Sequence, residues 1–229
     1  MLRLLSLACL LILCSARLGL AAIINVTTTD DEAFDSEGME LVNGTCTLRE
    51  ALKAATVFVL DIDACERGSD GPDTIVLPAG TYLLDSNAGN PLLSSAVFVN
   101  SEVTIAGAGM SETILDGGDD TLVLAISVAG VTVEIRDLTI QRGRSAGGGC
   151  IQKGGSETTH TILRNVTVQD CKGKRGAAIN SYGGTGALTL IHSTVTRNVS
   201  TTNSGAIHVT QGDSLTLIGS TVSFNRAEG

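Results

Sequence analysis

The chain has 229 residues, with 24 acidic against 15 basic side chains and a formal net charge of −9. That balance argues against nucleic acid or an anionic membrane surface as the main partner, because long-range repulsion opposes both. Hydrophobic residues at 43% exclude disorder, while 3% aromatics, no tryptophan, 27 glycines and 3 prolines suit a narrow stacked interior better than a large globular core.

Residues 1–22 read as a signal peptide: Arg3 opens it, Leu4 to Leu13 form the apolar run, and Gly19, Ala21 and Ala22 supply small residues for cleavage. The run is too short to cross a bilayer, and no other segment reaches the ~18 apolar residues of a span. Lipidation is disfavoured, since Cys9 falls early in the run and Cys14 follows Leu13 where a small residue is wanted. The expected location is secreted, extracellular or at the cell surface. Cleavage would leave 13 basic against 24 acidic residues, a net −11. Four cysteines remain, and an even count in an exported chain favours two disulfides over metal ligation, free buried thiols being the alternative. The expected pairs are Cys46 with Cys65 and Cys150 with Cys171, the first closing a loop that stabilises by roughly 3 kcal/mol in the chain-entropy view.

Residues 23–72 do not repeat and are expected to cap the molecule. Ile24 to Thr29 looks like a strand, and an acidic loop follows through Asp30, Asp31, Glu32, Asp35 and Glu37. A helix is predicted over about 47–57, opened by the capping box Thr47-Leu-Arg-Glu50. Leu48, Ala51, Leu52 and Ala55 make its apolar face, with Arg49 and Lys53 turned away. Such a helix is a suitable plug for the open end of a solenoid.

From residue 73 to 229 the chain is repetitive. Val133–Gly143, Thr161–Cys171, Leu188–Asn198 and Leu215–Asn225 are four copies of one segment. Ile135, Leu163, Leu190 and Leu217 advance by 28, 27 and 27 residues, and Ile140, Val168, Val195 and Val222 keep the same step. Gly149-Cys-Ile151, Ala177-Ala-Ile179 and Gly205-Ala-Ile207 are in phase with them. A fixed period in this range marks a stacked unit, and apolar residues alternate with polar ones, a strand pattern. Arg136 and Asp137 interrupt the alternation, so a bend is expected there. The leucine-rich-repeat signature is missing. The prediction is an all-β, single-stranded parallel β-helix with aliphatic ladders inside.

Two stretches carry a resemblance. Cys46-Thr-Leu-Arg-Glu-Ala-Leu-Lys-Ala-Ala55, followed by Asp73-Thr-Ile-Val-Leu-Pro-Ala-Gly-Thr-Tyr-Leu83, resembles the CSLREA-motif family of secreted bacterial surface proteins. Val103 to Gly109 and Thr113 to Gly118 are similar to that family's first coils. The resemblance implies a pectin-lyase-like, right-handed β-helix on or outside the cell, and supports fold and location more than an activity. Thr47 replaces the family's serine but keeps the capping hydroxyl, and an insert surrounds Cys65.

Aligned repeats also align outward residues. Thr139, Thr167, Thr194 and Thr221 form one row; Gln141, Gln169, Thr196 and Ser223 form another. Arg136 stacks on Arg164, and Asp137, Asn165 and His192 share a register. A regular polar face suits polysaccharide or cell-surface components, though any soluble β-helix needs one. The expected function is therefore structural, adhesive or glycan-contacting and non-catalytic. The alternative is a lyase or hydrolase of acidic polysaccharide, with Arg136 or Arg164 as the base and Asp137 or Asp170 beside it. Hydrolysis needs converging carboxylates, and none is evident. Asp116, Asp119 and Asp120 are the densest acidic group and the weak candidates for calcium, although Asp-Gly sequences are turn chemistry first. No other cofactor is implied. His160, His192 and His208 fall in different registers. The Asn-x-Ser/Thr triplets at Asn25, Asn43, Asn165 and Asn198 matter only in a eukaryotic secretory route. The last copy stops at Gly229 before another Gly-Ala-Ile block, so an open edge and self-association through it are expected.

Overall fold

The computed structural model describes residues 21–31, 42–56, 62–84, 96–154, 158–202, 204–210 and 212–229. The leader up to residue 20, Glu32, Asp35 and Glu37 of the acidic loop, and position 57 at the expected helix end lie outside them.

The chain is an all-β parallel solenoid of about five turns with almost no helix. β1 (Ile23–Asn25) and α1 (Leu48–Ala54) come first. The first coil carries β2 (Asp73–Val76), β3 (Gly80–Leu83) and β4 (Val97–Val99). The second has β5 (Val103–Ala106), β6 (Thr113–Asp116) and β7 (Leu124–Ile126). The third has β8 (Thr132–Gln141), β9 (Arg144–Ser145) and β10 (Ile151–Lys153). The fourth repeats it as β11 (His160–Gln169), β12 (Lys172–Gly173) and β13 (Ile179–Ser181). The fifth has β14 (Ala187–Ile191), β15 (Thr194–Thr196), β16 (Val199–Ser200) and β17 (Ile207–Val209). On it lie β18 (Ser214–Ile218), β19 (Thr221–Ser223) and β20 (Arg226–Ala227).

Every strand pair between coils is parallel, and the register follows the sequence repeat. Ile135 pairs with Leu163, Leu163 with Leu190 and Leu190 with Leu217; Ile140, Val168, Val195 and Val222 do the same. Ile135, Leu163, Leu190, Ile140, Val168 and Val195 are fully buried. Three sheets result. The largest runs β1-β2-β5-β8-β11-β14-β18 and carries the β3-β6 and β15-β19 rows beside it; the others are β4-β7-β10-β13-β17 and β9-β12-β16-β20.

The corner expected at Arg136-Asp137 is a left-handed backbone turn repeated at each coil. Asp137, Asn165, His192 and Gly219 have φ of 58°, 51°, 49° and 55°. A second corner repeats at Arg142, Asp170, Arg197 and Phe224, with φ of 49°, 55°, 55° and 54°. Such values cost a side chain roughly 1 kcal/mol or more, so the stacking must impose them. Asparagine side chains hold the second corner from within. Asn198 is fully buried, and its amide donates to the Val168 carbonyl and to Asn225 Oδ1, while its own Oδ1 accepts the Cys171 amide. One coil earlier the same place is taken by the Cys150–Cys171 disulfide. Cys46–Cys65 is the other bridge, and both pairs are those expected.

In the N-terminal region the reading needs two corrections. The strand is Ile23–Asn25, shorter and earlier than expected, and it pairs with β2, so it belongs to the solenoid's first sheet. The capping box of α1 forms at Thr47 and Glu50, but Arg49 does not face solvent. Its guanidinium makes a two-point pair with Asp31 at 2.8 and 2.9 Å and donates to the Ala96 carbonyl at 2.9 Å, with little surface exposed. A planar fork that finds a carboxylate and a carbonyl outcompetes hydration.

Candidate functional site

The sheet β4-β7-β10-β13-β17 points its alternate residues outward, and from the third coil onward these are Gln152, Asn180 and His208, one above another. Each follows an inward isoleucine of the repeated block, so the period-2 alternation fixes their direction. His208 Nδ1 lies 3.0 Å from Asn180 Oδ1. With the proton on Nδ1, that contact is a hydrogen bond to Asn180, leaving Nε2 as an acceptor. Tyr182 lies across Gly154 of the coil below, where even a methyl group would come within 2.9 Å of the ring. Its hydroxyl accepts from Gln152 Nε2 at 3.2 Å. With Arg175, Thr210, Ala146 and Gly147 these residues enclose an open depression of about 250 Å³.

A second depression, about 430 Å³, joins the first at Ala146. Its cations come from stacking: Arg144 of β9 pairs in register with Lys172 of β12, both outward and exposed. Lys174 follows two residues on, and Asp119, Asp120 and Thr201 complete the wall. The Lys174 and Arg175 amides both bond to the Gly147 carbonyl at 3.1 and 3.2 Å, so Lys174 and Arg175 stand over the Ala146-Gly147 turn. The two depressions, adjoining at Ala146, together make up the groove. Arg144, Lys172, Lys174 and Arg175 make no ion pair among the described residues.

The candidates read from the sequence lie elsewhere and are mutually neutralised. Arg136 pairs with Asp137 at 2.8 Å, and Asp137 also accepts from Asn165 at 3.0 Å. Arg164 sits beside Arg136 in register but turns to Glu134 at 3.1 Å. Asp170 is at the second corner, pinned by Arg197 at 2.7 Å. These four therefore line the large sheet and its corner, away from the groove. Asp116 is almost fully buried and receives Arg142 twice, Gln141 and the Gly118 amide. Burial pushes its carboxyl up, but those hydrogen bonds and the Arg142 charge outweigh it and hold the group below the ordinary carboxylate range. Asp119 lies 3.9 Å from Arg142, and Asp120 faces the groove. Among the described residues, no three His, Cys, Asp or Glu side chains group as a metal site. The threonine row is in register, although Thr139 is covered, its hydroxyl donating to the Met110 carbonyl at 2.7 Å.

One row of the groove, Gln152, Asn180 and His208, has a signal in the sequence, one residue past each Ile of the repeated block; the facing residues and the depth do not. The interior pair Lys153–Asp213 had no such signal. Lys153 occupies an inward position, in line with Ile126 and Ser181, and its ammonium meets Asp213 at 2.7 Å with both side chains closed off from solvent. Asp213 also accepts from the Ser181 hydroxyl and the Gly186 amide. Comparison with family models, curated proteins and solved structures gave no match.

Proposed function

We propose that this chain is a secreted or cell-surface β-solenoid of structural or adhesive type that binds a glycan in the groove and does not transform it. The observation that carries this is the row Gln152, Asn180, His208 with Tyr182 beside it: two amides, the Asn180 one almost buried, an imidazole, and a phenol whose ring stands over Gly154. Polar groups of both donor and acceptor character meet sugar hydroxyls, and an aromatic face covers sugar C–H surface. A rigid solenoid holds these groups without ordering cost on binding. On this reading the solenoid is right-handed and single-stranded, α1 with its disulfide closes the N-terminal end, and the CSLREA-like stretch belongs to that closure. Two disulfides and the lack of any membrane-spanning helix among the described residues fit an exported protein.

The test is a polysaccharide microarray probed with wild type, Tyr182→Ala and Gly147→Leu. The side chain added at position 147 collides with Gln152 Oε1, which its Cβ would approach to 2.1 Å, and fills the groove. Expected is binding to at least one polysaccharide by wild type and a loss of about tenfold or more in both variants, on the order of one hot-spot contact. Equal binding by all three would remove the groove from the function.

A further inference from the structure

We infer that removal of the leader at the Ala21–Ala22 bond turns the Ala22 nitrogen into an ammonium that pairs with the buried Asp73 carboxylate and so fastens the first strand of the solenoid. The inference rests on the exported reading and is independent of the groove. Asp73 opens β2 and is fully buried, yet no Lys, Arg or His pairs with it among the described residues. Its carboxylate meets only neutral donors: the Ser69 amide at 3.0 and 3.1 Å, the Ser69 hydroxyl at 2.5 Å and the Ala22 nitrogen at 2.9 Å. A carboxylate taken wholly out of water is ordinarily matched by a cation, because neutral hydrogen bonds do not replace all of its hydration. The loop before it leaves no entry for one. A Cβ added at Gly68 would stand 2.5 Å from Asp73 Oδ2 and 2.5 Å from the Ala54 carbonyl oxygen.

Sequence and structure place the cut at the same bond. Gly19 and Ala21 have the small-x-small spacing of a leader cleavage site, whereas a cut after Ala22 would put the bulky Leu20 in the earlier position. The Ala22 carbonyl accepts from the Thr74 amide at 2.8 Å and its nitrogen donates to Asp73, so both sides of Ala22 are held. Ala21 is exposed and makes no hydrogen bond among the described residues. Hydrolysis adds one water across the Ala21–Ala22 peptide bond, giving a carboxylate on Ala21 that departs with the leader and an ammonium on Ala22. That amine is mostly protonated at neutral pH, since its ordinary pKa is about 8. One of its N–H groups keeps the bond to Asp73, and the others reach solvent because Ala22 is only half-buried. A neutral donor thus becomes a charged one, and such a bond is roughly twice as strong. Two residues on, Ile24 pairs with Ile75 in the core, so pinning Ala22 holds this outermost rung against fraying.

The full chain, exported from a bacterial host into an oxidising compartment, tests the position of the cut. The intact mass of the product should be that of a chain beginning at Ala22. A start at Ile23 or at any other residue overturns the inference and keeps the exported reading; a chain with its leader still attached overturns both. A Gln-Thr dipeptide inserted between Ala21 and Ala22 tests the ion pair, because the same cut, verified by mass, then leaves Ala22 with a neutral peptide nitrogen. The Thr74 amide, whose partner is the Ala22 carbonyl, should exchange with solvent about tenfold faster in that variant, the loss of one charge-assisted contact. Asp73→Asn should speed the same exchange strongly in the chain that begins at Ala22 and much less in the extended chain, which has no ammonium there to lose. Equal exchange with and without the insertion overturns the inference, and that comparison needs no Asp73 variant to fold. Equal effects of Asp73→Asn in the two chains overturn it as well.

Discussion

The Lys153 ammonium and the Asp213 carboxylate meet at 2.7 Å inside the solenoid, sixty residues apart in the chain. Ile126 holds the equivalent inward place one coil earlier and Ser181 one coil later, so a charge has replaced an aliphatic rung. Asp213 compensates by joining Lys153, Ser181 and the Gly186 amide. Removing its carboxylate leaves the lysine buried alone. Asp213→Ala should cost about 3–5 kcal/mol. Lys153→Met should cost less, because Asp213 keeps two neutral donors and methionine fills the same space. Urea unfolding of both variants checks the order, and a larger loss for Lys153→Met would contradict it.

The same carboxylate makes stability depend on acid. Burial pushes Asp213 up, but Lys153, Ser181 and Gly186 bring it below its ordinary value, as Arg142 and Gln141 do for Asp116. A carboxylate with a depressed folded pKa contributes stability that is complete above its unfolded value, ~3.9, and lost as pH falls through the folded one. Unfolding free energy should therefore change little from about pH 7 to about pH 5 and drop below about pH 4. Asp213→Asn should be less stable near neutrality yet lose less on acidification. Urea melts across this range, read by circular dichroism, measure it.

Among the first-corner residues, Gly219 follows Asp137, Asn165 and His192 and shares their positive φ. A methyl group there would meet the His192 ring at 2.7 Å as well as the left-handed backbone. Gly219→Ala should cost at least about 1 kcal/mol. At the second corner Phe224 has φ 54° and an 87% exposed side chain, so its ring gains no packing in exchange. Phe224→Gly should raise stability by about 0.5–1 kcal/mol, relief of the left-handed strain exceeding glycine's extra chain entropy. Amide exchange in β18 to β20 would report both changes locally.

Gly143 gives way to the second disulfide. Its amide lies 3.2 Å from Cys150 Sγ, and an added Cβ would stand 2.8 Å from that sulfur and 2.4 Å from the Gly149 carbonyl. Neither neighbour yields easily, so Gly143→Ala should cost about 1–3 kcal/mol. Cys150→Ser with Cys171→Ser should cost roughly 3 kcal/mol for a loop of this size. Combining all three should cost less than the sum, since the clash with the sulfur disappears with the bridge. Strict additivity in thermal melts would show that Gly143 and the disulfide do not share a strain.

Much of the architecture was legible in the residues because burial repeats. Ile135, Leu163 and Leu190 leave water and meet in a ladder, so the step of 28 or 27 residues states the register before any coordinate does; Leu217 keeps that register on the last rung but is 46% exposed, because no described coil covers it. The capping box of Thr47 and Glu50 and both disulfides are likewise short-range or pairwise statements that sequence can make. Arg49 was misplaced because its partners, Asp31 and Ala96, come from segments on either side of the helix.

The groove could be settled only in three dimensions. Its walls depend on what is missing beneath them: Ala146 and Gly147 under Lys174 and Arg175, Gly154 under Tyr182. A void is a relation between coils, and no window of the chain contains both sides of it. Lys153 follows the same logic, because nothing near it in sequence reveals that Asp213 will arrive from two coils away. Periodic burial is a property each residue carries by itself; a depression, or a charge made tolerable by one distant partner, exists only once the coils have stacked.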